Sequence, residues 1–222
     1  MLRDERLLGT VSTSTDEIYS SRMFRHLDFL LHELSLGLDE FDLYAVVAGP
    51  GSFTGLRVGL AAVKCWAEVY GKPVAAVSGL EVIAAQAHSA APLLASVMDA
   101  HRGQVYFGFY RRTGPPGAVG LTREGDECVG APEEFLESLK TRARQADVAI
   151  VTATPEVIAD TVSRFEMASG EHIAVEQVPA LLAPVAGLLG YRQALRGQVT
   201  DALHLDASYI RRSDAELHWK GP

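Results

Sequence analysis

The chain has 222 residues, of which 48% are hydrophobic and 22% charged, as is typical of one large or two small globular domains. Its net charge of −8 argues against independent binding to nucleic acid, which depends on clustered Lys and Arg. No apolar run approaches the ~18 residues of a membrane span, and the residues after Met1 lack the apolar core of a signal peptide, so we expect a cytoplasmic protein without membrane contact.

The first predicted elements are a strand, an amphipathic helix and a second strand. The first strand lies within residues 6–13, and the helix spans residues 23–36 with Gly37 as its expected stop. The apolar face of this helix consists of Met23, Leu27, Leu30, Leu31 and Leu34. The second strand, residues 43–48, is a continuous apolar run of the kind found in buried strands.

A Gly-Pro-Gly turn at residues 49–51 ends the second strand and leads into the central helix of the chain. Ser52 or Thr54 is placed to cap its first turn, and the helical pattern continues to Tyr70, just before a Gly-Lys-Pro sequence. A further strand, residues 74–77, follows at once. Strand, tight turn, helix and strand in this order predict a unit of a parallel sheet.

The central helix carries two stripes at helical spacing. One stripe is expected to pack on the sheet and consists of Leu56, Leu60, Val63, Ala67 and Tyr70. The other is nearly free of side chains and consists of Gly55, Gly59, Ala62 and Trp66. Each interior glycine costs a helix roughly 1 kcal/mol against alanine, so the second stripe predicts that another backbone comes close. That backbone belongs either to another element of the same chain or to a partner.

The residues after this unit predict a short helix and a second subdomain. Ser78 and Glu81 have the spacing of a capping box, so we interpret them as caps of a helix through Ala87 rather than as catalytic residues. Beyond Pro92, residues 93–98 and 105–110 predict an antiparallel hairpin. The later predicted elements are helices at residues 132–144, 155–165 and 180–195 and strands at residues 147–152 and 207–211. The economical division is into two α/β subdomains, residues 1–90 and residues 91–222, the second with the C-terminal helix and strand.

A search for catalytic motifs finds no assembled active site. The Gly-rich turn is a candidate phosphate cradle, but no Gly-Lys-Ser/Thr follows it, and Ser78 stands where the dinucleotide fingerprint expects an acidic residue. The seven histidines include no pair at i,i+3 or i,i+4, and the two cysteines fit no metal spacing. Asp99, His101 and Arg102 could serve as acid, base and anion binder, although a solvated turn is the favoured interpretation. We therefore assign no catalytic, cofactor-binding or metal-binding residue.

The block from Gly49 to Gly59, Gly-Pro-Gly-Ser-Phe-Thr-Gly-Leu-Arg-Val-Gly, resembles the signature of the TsaB family, also called YeaZ. Residues 72–81, from Lys-Pro-Val to Ser-Gly-Leu-Glu, extend the resemblance. Residues 99–106 and 208–211 are similar to the hairpin and the C-terminal strand of that family. The first block carries most of the specificity, because the chain beyond about residue 90 otherwise matches only in pattern.

The resemblance implies an α/β fold of the actin-like ATPase type, with two ribonuclease-H-like subdomains but without the nucleotide and metal residues of the catalytic relative TsaD. It implies a non-catalytic scaffold in the complex that transfers threonylcarbamoyl to the adenosine beside the anticodon of tRNAs reading codons that start with A. The implied partners are a TsaD-like catalytic subunit, a TsaE-like ATPase and, for the chain alone, a second copy. Transfer RNA would bind only through the complex, and ATP and metal would be held by the partners.

The residues that the resemblance assigns to partner binding lie on the turn and the small-residue stripe: Gly51, Ser52, Phe53, Thr54, Gly55, Arg57, Gly59, Ala62 and Trp66. The first subdomain departs from the family pattern because its N-terminal strand or strands are missing, and we expect coding sequence for them upstream of Met1. The alternative function is enzymatic: a nucleotide-binding ATPase, a kinase-like enzyme or a TsaD-like peptidase.

Overall fold

The computed structural model describes residues 1–13, 15, 19–114 and 120–210. The helices are α1 (Tyr19–Leu34), α2 (Phe53–Tyr70), α3 (Gly79–Ala85), α4 (Pro132–Ala143), α5 (Ala159–Ser169) and α6 (Ala183–Leu195). The first strands are β1 (Leu2–Arg3), β2 (Arg6–Leu7), β3 (Tyr44–Gly49), β4 (Val74–Ser78) and β5 (Leu93–Asp99). The later strands are β6 (Val105–Arg112), β7 (Leu121–Arg123), β8 (Cys128–Gly130), β9 (Val148–Thr152) and β10 (Ala174–Gln177). The predicted α/β class is confirmed.

The chain forms two compact units, and their boundary differs from the one predicted. Among the described residues, the first unit lies within Met1–Val82 and Leu181–Ala207, and the second lies within Ile83–Ala180 and residues 208–210. The sequence division at residue 90 placed α6 in the second subdomain. The structure places it in the first unit, because α6 packs on β3 and β4.

The first unit is built around the predicted parallel unit, which is confirmed. Strands β3 and β4 pair in parallel, with Tyr44 opposite Val74 and Val47 opposite Val77. Helix α2 packs on β3, and alternate strand residues therefore face it while the others face α6. The core on the α2 side contains Leu60, Val63, Ala67, Tyr44, Ala48 and Val74.

On the other face of β3 and β4, helix α6 comes unusually close. A Cβ atom added at Gly190 would lie 2.7 Å from the Cβ of Ala45 and 3.1 Å from the Cβ of Ala75. Real Cβ atoms essentially never approach within 3.0 Å, so this crossing requires glycine on the helix and small residues on the strands. The close backbone approach that the sequence predicted for α2 is therefore found in α6.

Strand β3 has one paired and one unpaired edge. Its pairing with β4 begins where the Tyr44 N–H donates to the Pro73 carbonyl at 3.1 Å. Because alternate residues of a strand direct their main-chain groups to opposite edges, the N–H and C=O groups of Ala45 and Val47 point away from β4. Among the described residues nothing pairs with that edge, since β1 and β2 pair only with each other.

The second unit contains a six-stranded sheet in the order β10-β9-β5-β6-β7, with β8 also paired to β6. Strands β5 and β6 form the predicted antiparallel hairpin, and β5, β9 and β10 are parallel. Helices α4 and α5 cover one face over an aromatic core in which the rings of Phe107 and Phe135 lie 5.4 Å apart. Strands β7, β8 and β10 were not predicted.

Several predicted boundaries need correction. The strand expected within residues 6–13 is only Arg6–Leu7, because its partner β1 is itself two residues long. Helix α1 ends at Leu34 rather than Leu36, since Ser35 adopts a left-handed conformation with φ 52°. The helix expected from Pro155 is a 3-10 turn, Pro155–Val157, followed by α5. The predicted last strand is absent from residues 207–210, and Arg211 lies outside the described residues.

Of the helices in the described ranges, none is both long and apolar enough to cross a membrane.

Candidate functional site

The turn between β3 and α2 is shaped by glycine and capped by serine. Gly49, the last residue of β3, has a φ of 138°, which side-chain-bearing residues rarely adopt. The Gly55 N–H donates to the Ser52 hydroxyl at 3.4 Å, so Ser52 is the N-cap and Phe53 begins the helix. At the other end Gly71 adopts a left-handed conformation and donates its N–H to the Ala67 carbonyl. The predicted caps are confirmed, with Ser52 rather than Thr54 at the start.

The stripe expected to face the sheet does so over most of its length. Leu60, Val63 and Ala67 are buried in the core beside Tyr44. Leu56 is only half-buried, and Tyr70 is 37% exposed, so the expectation that Tyr70 packs on the sheet was wrong. The helix ends at Tyr70.

The small-residue stripe divides into an open and an occupied half. At Gly59 an added Cβ would meet nothing within 4 Å, and at Gly55 it would meet only the capping Ser52 at 3.6 Å. No described element of this chain therefore uses the space over Gly59. Within the described residues, the intramolecular explanation of the glycine stripe therefore has no support at Gly59.

The other half of the stripe is used inside the chain. Ala62 is only 8% exposed, so the expectation that it lies on a free face was wrong. Trp66 packs against the core, with its ring 6.0 Å from that of Tyr44. The Tyr44 hydroxyl donates to the Leu38 carbonyl at 2.7 Å, and burial, with smaller contributions from Tyr70 and Asp39, raises the pKa of Tyr44.

Exposed aromatic rings occur on α2 and on the neighbouring helix α1. Phe53 is 40% exposed, and the Arg57 guanidinium stacks over its ring at 3.8 Å. On α1, which contacts α2, Phe24 and Phe29 are each 53% exposed. The remaining predicted partner-binding residues near the turn, Ser52 and Thr54, are exposed, while Gly51 is half-buried against Leu56.

The two phenylalanines of α1 were missed by the sequence prediction. They lie outside the apolar face formed by Met23, Leu27, Leu30, Leu31 and Leu34. Large apolar residues outside that face are the feature from which the sequence could have predicted exposed aromatic rings on α1. None of the described side chains of α1 is fully buried. Helix α1 therefore presents apolar surface on more than one side. We define the open helical surface as the part of α2 over Gly55 and Gly59.

Two other candidate groups have structural roles in the fold. The Ser78 hydroxyl accepts N–H bonds from Leu80 at 3.1 Å and Glu81 at 3.3 Å, which confirms Ser78 as a cap of α3. At the hairpin tip the His101 N–H donates to Asp99 at 2.6 Å, and the His101 ring lies 3.1 Å from the same carboxylate. Asp99 thus stabilises a tight turn in which His101 and Arg102 both have positive φ.

Comparison with known proteins identifies the family and the fold. Residues 6–219 match the family model TsaD, tRNA N6-adenosine threonylcarbamoyltransferase. The protein named tRNA threonylcarbamoyladenosine biosynthesis protein TsaB from Bacillus subtilis is 32% identical over 111 residues, covering 50% of this chain and 48% of that protein. The protein of the same name from Haemophilus influenzae is 36% identical over 92 residues, covering 40% of this chain and 39% of that protein. These matches span about half or less of those relatives, and they confirm the resemblance to the TsaB family.

Two solved structures from Pseudomonas aeruginosa share the fold. YeaZ superposes with a TM-score of 0.67 at 24% identity, covering 87% of this chain and 84% of that chain. An uncharacterized protein described as similar to peptidase YEAZ superposes with a TM-score of 0.68 at 24% identity, covering 88% and 85%. The expected actin-like ATPase fold is confirmed, and at this identity the likeness concerns the fold alone.

Proposed function

From the fact that this chain belongs to the TsaD family, tRNA N6-adenosine threonylcarbamoyltransferase, we propose that it works in tRNA threonylcarbamoyladenosine biosynthesis as a non-catalytic scaffold subunit. Its role is to bind a TsaD-like catalytic subunit and a TsaE-like ATPase in the cytoplasm. When alone, it pairs with a second copy of itself. The names of its TsaB relatives support the pathway, and the open helical surface supports a binding role.

The observation that carries the proposal is the empty space over Gly59. A glycine inside an exposed helix costs about 1 kcal/mol relative to alanine, and no described residue of the chain uses the close approach that glycine permits. Exposed aromatic rings occur on the same helix at Phe53 and on the neighbouring helix α1 at Phe24 and Phe29. Aromatic residues are enriched where protein partners bind, so this surface is better suited to contact with a helix of a partner than to exposure to solvent.

Co-purification tests the proposal directly. The tagged chain, expressed with untagged TsaD-type and TsaE-type subunits from the same source, is expected to retain both subunits on the affinity resin and through gel filtration. A chain that elutes alone in the presence and absence of nucleotide contradicts the scaffold role.

A second prediction concerns activity of the isolated chain. The Gly-rich turn is followed by a capped helix without the lysine of a phosphate-binding loop, and the first cation along the helix, Arg57, stacks over the Phe53 ring, so we expect poor stabilisation of a phosphoryl-transfer transition state there. We expect ATP hydrolysis at the background of the assay and tRNA binding weaker than nanomolar, because the net charge is −8. ATP turnover that Gly51→Val or Arg57→Ala abolishes, or nanomolar tRNA binding, contradicts this expectation and favours the enzymatic alternative.

A further inference from the structure

In the second unit, residues 87–91 form a strap that leads from α3 to β5 without regular secondary structure. Between His88 and Ala91 the described structure has no hydrogen bond to another main-chain group. The strap is held by side chains instead. Segments held in this way open locally at lower free energy than the strands of a core.

Glu176, on the edge strand β10, holds the N–H groups of the strap. Its carboxylate accepts from the His88 N–H at 2.7 Å and from the Ser89 N–H at 2.9 Å, one bond to each oxygen. The Glu176 side chain is only 23% exposed; its charge-assisted bond to Ser89 is partly buried, and its bond to His88 lies at the surface. The His88 ring, 87% exposed, lies 3.5 Å from the same carboxylate.

Arg112, at the end of β6, holds the C=O groups of the strap. Its Nη2 donates to the Ser89 carbonyl at 2.9 Å and to the Ala87 carbonyl at 3.3 Å. Glu176 and Arg112 therefore lie on strands that stand on opposite sides of β5 in the sheet order. Neither has a role in packing α4 and α5 on the sheet, since neither residue belongs to that core.

The strap also forms one wall of a cavity of about 880 Å³. Ser89, Ala90 and Ala91 line it from the strap, while Leu139 and Phe165 contribute apolar surface from α4 and α5. The cavity lies at the amino ends of β9 and β10, beside the turns that lead into them. Movement of the strap would therefore change access to this apolar surface.

We propose that the strap is a latched gate on this cavity, with Glu176 and Arg112 as its two latches. Both are positioning residues, because they act by fixing the path of the main chain. Release of either latch frees the strap while the sheet behind it stays folded. This device is independent of the open helical surface on the first unit.

Amide hydrogen exchange of the full chain tests the latch. In Glu176→Gln the new amide group opposes one strap N–H, so we expect exchange at His88 and Ser89 to accelerate at least ~10-fold, and Arg112→Gln should have a similar effect on the strap. The controls are Glu171→Gln, a cavity-lining carboxylate with no contact to the strap, and Arg111→Gln, whose partner is Glu124. Both controls should exchange like the unmodified chain.

Binding of the dye 1-anilino-8-naphthalenesulfonate tests the gate. Its fluorescence should rise in both latch variants and remain unchanged in both controls, because only the latch variants uncover Leu139 and Phe165. Faster strap exchange without a rise in dye fluorescence overturns the gate. Unchanged exchange at the strap in the latch variants overturns the latch. Loss of protection at Ile150 and Val151 in both variants also overturns it, because Glu176 and Arg112 would then stabilise the whole sheet.

Discussion

Gly59→Glu will leave the chain folded and weaken its binding to a TsaD-type partner by about 100-fold or more. An added Cβ at Gly59 meets nothing within 4 Å, and the substitution also removes the helix penalty of glycine. If a partner covers this position, the new carboxylate is buried without a counter-charge, which costs at least roughly 3 kcal/mol. Sedimentation of the chain alone and pull-down with the partner measure the effect.

Two alanine positions on the same helix, Ala61 and Ala67, provide the controls. Ala61→Glu adds the same charge at an exposed position away from the stripe, so binding should be unchanged. Ala67→Glu should misfold, because Ala67 is 3% exposed and faces the core. Ala62→Glu is unsuitable as a test, since Ala62 is already buried within the chain. If Gly59→Glu associates with itself and binds the partner normally, the open helical surface is not the binding site.

Gly190→Ala will destabilise the protein, whereas Gly59→Ala will stabilise it, although both replace a glycine inside a helix. Alanine gains up to about 1 kcal/mol over glycine in helix propensity. At Gly190 that gain is outweighed, because the new Cβ lies 2.7 Å from the Cβ of Ala45 and either α6 or β3 must shift. Such overpacking costs about 1–3 kcal/mol, and Gly190→Leu should cost more.

Urea unfolding followed by circular dichroism compares the two substitutions on one scale. The midpoint should rise for Gly59→Ala and fall for Gly190→Ala, with unchanged slopes, because neither substitution changes the surface exposed on unfolding. Gly187→Ala is an informative third variant, since its Cβ would meet the flexible end of the Leu2 side chain, which can move aside. Equal stabilisation at Gly59 and Gly190 would show that α6 is not packed as closely as described.

The parallel unit could be predicted because its signals are local. A Gly-Pro-Gly turn, the Ser52 cap and the spacing of Leu60, Val63 and Ala67 lie within one stretch of sequence and agree with each other. Turn type and helical periodicity depend on residues that are neighbours in the sequence, so both can be predicted without knowledge of the tertiary structure.

The features that the sequence did not predict depend on distant partners. Ala62 and Trp66 have the spacing of an open stripe, but whether they are exposed depends on what packs over them, such as the ring of Tyr44 against Trp66. Strands β7, β8 and β10 have only three or four residues, too few for a period-two pattern, and exist because a longer strand pairs with them. Gly187 and Gly190 gave the same local signal as Gly55 and Gly59, yet only the tertiary structure shows which pair meets a strand.

The edge of β3 that no described residue pairs with is a potential site of association between copies of the chain. The strand sequence Tyr-Ala-Val-Val-Ala-Gly contains no charge and no proline, the devices by which natural sheets prevent edge-to-edge aggregation. Within the described residues, the main-chain groups of Ala45 and Val47 on this edge have no partner, and an extended segment, including the same strand of another molecule, can pair with them. If no other part of the protein covers this edge, a variant made monomeric at α2 will still precipitate at high concentration, because the main chain of β3 can pair with a second copy.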